Sequence, residues 1–150
     1  MKATSDVTLS IISEAEPFSH ARSTVLIEGK NTGIEVSGKI LEAAIKIAEY
    51  RYLLFLTDDV IFEESLMITL LDSTAGILES VELGVQYVTG SFKDLQIEQE
   101  SANFRFIGDI VWTVKVLKSS SFRLPFSDPT GVSRRLGLSK YIDISATPCP

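Results

Sequence analysis

Histidine, cysteine and tryptophan each occur once in these 150 residues, as His20, Cys149 and Trp112. One cysteine cannot close an intrachain disulfide, which fits a reducing compartment. One histidine and one cysteine cannot complete a four-ligand zinc site. Asp58, Asp59, Glu63 and Glu64 offer oxygens to calcium or magnesium but lack the glycine and alternating acids of a calcium loop, so no metal and no cofactor is expected. A cysteine–histidine nucleophile pair would need Cys149, between two prolines at the far end of the chain, to reach His20 in a proline-marked polar loop. The lone histidine is therefore expected to face solvent, and the chain is expected not to be an enzyme.

Other absences narrow the class further. Gly29, Gly33 and Gly38 lie near one another, yet they match neither the phosphate-cradling loop nor the dinucleotide fingerprint, and turns account for them better. No apolar run is long enough for a membrane helix. The start, MKATSDVTLSIISEAE, lacks the charged, apolar and small-residue regions of a secretory leader. The expectation is a cytoplasmic protein with no membrane partner.

What is present is a well-filled apolar core and an uneven charge. The hydrophobic share is 45% and the charged share 23%, ordinary for one folded domain that buries roughly two-thirds of its unfolded surface. Residues 1–110 carry 18 acidic against 8 basic side chains, a balance of −10, and residues 111–150 carry 2 against 6, a balance of +4. An acidic body repels phosphate backbones and draws basic partners, so nucleic acid is not expected as a ligand. Arg134, Arg135 and Lys140 read as a solvated basic edge or as counter-charges to the acidic body.

The most apolar stretch is RYLLFLTDDVIFEESLMITLLD, residues 51–72. Its two runs are apolar on both faces, which marks central strands, and an acidic connection joins them. Residues 5–13 and 23–28 alternate or cluster β-branched side chains, with a hairpin turn expected over residues 29–33. Phe104 to Leu117 reads as a hairpin folded at Gly108-Asp109. The window 34–50 supports either a strand continuing from Ile34 through Ile47 or a helix. Residues 77–83 could hold a short helical turn.

The fold expected is mainly β: an antiparallel β-sandwich or strongly bent sheet of about eight strands, with at most one or two helices. A core domain is expected over residues 1–121. Residues 122–150, which hold four of the five prolines, are expected as an irregular extension packed on it and frayed after Ser145.

Two functions of different kinds follow. In the first, Asp58, Asp59, Glu63 and Glu64 form an acidic surface that binds a basic protein partner, as inhibitors and toxin-immunity proteins do. In the second, Tyr52, Phe55, Phe104, Phe106 and Trp112 line an apolar pocket in a small-molecule carrier. Trp112 is otherwise a core anchor.

Overall fold

The computed structural model describes residues 1–60, 64–85, 88–124, 127–135 and 137–148. Thirteen strands and no helix are found among them. They are β1 (Lys2–Ala3), β2 (Val7–Ser13), β3 (Arg22–Ile27), β4 (Lys30–Ser37), β5 (Ile40–Ala48), β6 (Arg51–Thr57), β7 (Leu66–Asp72), β8 (Gly76–Leu83), β9 (Lys93–Ile97), β10 (Ser101–Arg105), β11 (Ile110–Phe122), β12 (Val132–Arg134) and β13 (Ser139–Pro148). Three antiparallel sheets result, in the orders β1-β5-β6-β7-β8-β12, β13-β11-β10-β9 and β2-β3-β4. The class is the mainly-β, sandwich-like one that the alternation implies, with more strands than the eight expected.

The six-stranded sheet is the middle layer, which explains why β6 and β7 are apolar on both faces. Side chains of a strand alternate between faces. On β6, Leu53 and Phe55 enter one core with Phe104, Trp112, Val114 and Ile142 of the four-stranded sheet. Tyr52, Leu54 and Leu56 enter a second core with Val7, Val25 and Val36 of the three-stranded sheet. The rings of Phe55, Phe92 and Phe104 cluster with centroids 5.1–5.4 Å apart, Phe55 and Phe104 edge-on and the other two pairs tilted.

Three local differences from the sequence expectation have physical causes. The β3–β4 turn is two residues long, Glu28-Gly29, and both have positive φ. That twist matches the strands it joins, so Asn31 to Gly33 fall within β4 instead. The strand expected to run on from Ile34 is broken at Gly38, whose φ of 120° sends the chain from the three-stranded sheet into the six-stranded one. Residues 40–48 are strand, and the helix alternative does not occur. Residues 77–83 likewise lie in β8 with no helical turn.

The stretch after Phe122, expected to be irregular, supplies β12 and β13 instead. β13 pairs with β11 from Ile110↔Pro148 to Phe122↔Ser139, with one register shift, and Ile142 and Ile144 enter the first core. Prolines hide this strand in the sequence, although only Pro148 lies in it, at its last residue.

Of the two expectations for Arg134, the counter-charge fits the structure and the solvated edge does not. The Arg134 side chain is 3% exposed, with Nη2 and Nε on the two oxygens of Asp128 at 2.6 and 2.9 Å and Nη1 donating to the Ile142 carbonyl at 2.9 Å. Glu79, 3.4 Å away, accepts the Tyr141 and Ile142 amides. Burying a guanidinium is favourable only with this degree of pairing. The cluster stitches β8 and β12 to β13, and so one sheet to another. Arg135 is exposed.

Candidate functional site

At one end of the middle sheet, the β2–β3 connection folds over the segment that follows β6. The connection closes on itself: the Glu16 and Ser19 amides each donate to the other residue's carbonyl, at 3.0 and 3.2 Å. Pro17 and Phe18 form the tip of this tight turn. Proline fixes its own φ there, and the Phe18 ring stands fully in solvent.

Beyond the turn, His20 reaches into the body. Its Nδ1 donates to Asp58 Oδ2 at 2.6 Å, and its Nε2 donates to Glu82 Oε1 at 3.1 Å. Asp58 follows β6, with 9% of its side chain exposed, and its other oxygen accepts the Ala21 amide at 3.2 Å. Glu82 lies on β8. Two carboxylates on opposite sides of one ring stabilise the cation, and the imidazole pKa is pushed from 6.5 up to about 10, by Asp58 first and Glu82 second, against the opposing effect of partial burial. The hydrogen bond from His20 holds the Glu82 carboxyl below its usual range.

The acidic connection is folded inward more than displayed. Asp59 takes a positive φ of 60°, which turns the chain. Glu64 then caps the turn from the far side, accepting the Asp58 and Val60 amides, both at 2.8 Å. Of the three described, Asp58, Asp59 and Glu64, Asp59 alone projects into solvent. Glu63 lies outside the described residues.

These groups surround an open cleft of about 600 Å³. Its described charged lining is Glu16, Asp58, Glu64 and Glu82 against the imidazolium of His20, and Phe18, Val60 and Val85 rim it. A base must offer a free lone pair near the working pH. His20 has none, since both N–H groups are committed and the ring holds its proton to about pH 10. The arrangement acts as a fixed charge cluster. Among the described residues, no three His, Cys, Asp or Glu side chains are placed to hold a metal ion, and no helix is long and apolar enough to cross a membrane.

The five aromatic residues expected around a carrier pocket do not converge on one. Tyr52 faces the second core, while Phe55, Phe104, Phe106 and Trp112 fill the first. Trp112 is the core anchor, 1% exposed. What the sequence reading missed is His20. Its partners lie 38 and 62 positions away, so no local spacing could reveal them.

No protein-family model matches the chain, and searches of curated proteins and of solved structures give no match either.

Proposed function

We propose that this is a non-catalytic, cytoplasmic interaction module that covers a basic surface of another protein, in the manner of an inhibitor or immunity-type protein. The observation that carries this reading is Phe18: a wholly exposed aromatic ring, held at the tip of a hydrogen-bonded turn, on the lip of a cleft whose charged lining is mainly carboxylate. With its backbone already held in the turn, the ring has only its own rotamers left to order on docking. The surrounding carboxylates favour a partner pocket edged with lysine or arginine, and speed its encounter at low salt. The acidic segment that contributes to binding is then Asp58, Asp59 and Glu64 together with Glu16 and Glu82, with the exposed Asp59 as the outermost charge.

Affinity capture with the parent and with Phe18→Ala tests this. A basic protein is expected to be retained by the parent and held about 30-fold more weakly by Phe18→Ala, the scale of a hot-spot truncation of about 2 kcal/mol. Because the ring touches little of its own chain, thermal stability is expected to stay unchanged. Equal retention by both proteins, or capture of acidic proteins only, overturns the reading.

A further inference from the structure

Among the described residues, the outer strands of the three sheets are β1 and β12, β13 and β9, and β2 and β4. An outer strand presents unpaired amides and carbonyls to any other strand, and charged side chains normally guard it. Lys2, Lys140 with Asp143, Lys93 with Asp94, and Lys30 with Glu35 mark four of these strands, and β12 is only three residues long, with its Arg134 held inward. The sixth, β2, reads Val-Thr-Leu-Ser-Ile-Ile-Ser, with no charge and no proline. Ile11 and Ile12 on it are each about half exposed, at 51% and 52%.

We propose that β2 is a self-association edge, on which a second copy of this chain lays its own β2 antiparallel about a two-fold axis at Leu9. In that register Val7 faces Ile11 of the other copy, Leu9 faces Leu9, and Thr8 faces Ser10. Residues opposite one another share a face of the sheet, so apolar side chains meet apolar ones and hydroxyls meet hydroxyls. The occupant is a second copy because the strand complements itself here, and neither flanking acid opposes another: Asp6 falls opposite Ile12, and Glu14 opposite Thr4. Moving the axis by one residue to Ser10 sets Asp6 against Glu14. It also draws in the irregularity between Ile11 and Ser13, where β2 shifts register against β3. With the axis at Leu9 the regular span Val7–Ile11 pairs along its whole length, and two three-stranded sheets become one of six strands.

Pairing along one strand buries less surface than a permanent dimer needs, so the association is concentration-dependent. Each copy carries a net charge of −6, and salt that screens this repulsion strengthens the dimer. The inference stands independently of the cleft.

Sedimentation of the parent up to about 500 µM, a range set by the affinity of so small a contact, is expected to show monomer and dimer in exchange. The dimer is expected to be lost in Thr8→Lys/Ser10→Lys, both exposed positions, with the circular dichroism spectrum unchanged. The register is read by mixing chains with Thr8→Cys and Ser10→Cys, each also Cys149→Ser, under mild oxidation. The mixed disulfide is expected in excess over cross-linking of either chain alone. A monomer at every concentration overturns the proposal and leaves the edge to a foreign strand; a dimer that survives the lysines, or equal cross-linking without mixing, overturns it too.

Discussion

His20→Ala is expected to lose about 3 kcal/mol of folding stability near pH 6, the scale of breaking a mostly buried ion pair, seen as a fall of about 9 °C in melting temperature for a chain of this size. The reason lies less in the lost imidazole than in what stays behind. Asp58, 8% exposed, keeps among the described residues only the Ala21 amide as a hydrogen-bond partner on its carboxylate. A buried carboxylate with one donor is costly.

The pH dependence gives the clamp a signature that simple loss of packing lacks. The folded protein binds the His20 proton more tightly than the unfolded chain does, so this contribution is complete below pH 6.5. It then declines as pH rises, and vanishes above about 10. Glu82 acts in the other sense: its lowered pKa contributes stability above its ordinary 4.5, and this is lost as pH falls through the folded value. The stability difference between parent and His20→Ala, followed by chemical denaturation, is therefore expected to peak between about pH 4.5 and 6.5 and to shrink on both sides. A difference that is flat from pH 5 to 10, an interval that runs from below the ordinary 6.5 of the imidazole up to its folded value of about 10, assigns the loss to packing alone.

Gly38→Ala carries the second large effect. The added Cβ would lie 2.7 Å from Leu56 Cβ and 3.4 Å from the Thr57 carbonyl, at a φ of +120°. Backbone strain and overpacking together cost about 3 kcal/mol or more. Relief by local movement is blocked. The Gly38 amide donates to the Ala21 carbonyl at 2.7 Å, its carbonyl accepts from the Ser23 hydroxyl at 2.6 Å, and the next amide donates to Thr57 at 2.9 Å. Gly29→Ala makes the control, because its φ is +78° but nothing lies within 4 Å of the new atom. It is expected to cost about 1 kcal/mol, the conformational share alone. Equal losses for the two glycines in urea denaturation would show that the crossover tolerates a methyl group.

These two residues also mark where sequence reading reached its limit. The strands at 51–57 and 66–72 were legible because a sheet buried on both sides leaves a continuous apolar run. The hairpin through Gly108 was legible because Phe104 and Phe106 alternate with Arg105 before a turn-forming pair. Gly38 gave no comparable warning: a single glycine without proline or asparagine beside it does not say that the chain changes sheets there. In residues 139–148, Ile142 and Ile144 alternate with Asp143 and Ser145 in the manner of a strand, but nearby prolines outweighed that pattern. In the candidate site, Asp58 and Glu64 drew notice as carboxylates, yet their engagement with His20 and with backbone amides depends on contacts across the fold that no local pattern encodes. Adjacency of charges in a sequence is silent about direction.

The double burial of β6 has a thermodynamic corollary. Leu53 and Leu54 are covalent neighbours, yet they belong to different packing environments, while Phe55 and Phe104, 49 positions apart, touch ring to ring at 5.3 Å. Truncating the two leucines together is expected to cost close to the sum of the separate losses, and truncating the two phenylalanines is expected to depart from additivity. In this strand, energetic independence separates nearest neighbours along the chain, and coupling joins residues far apart in it.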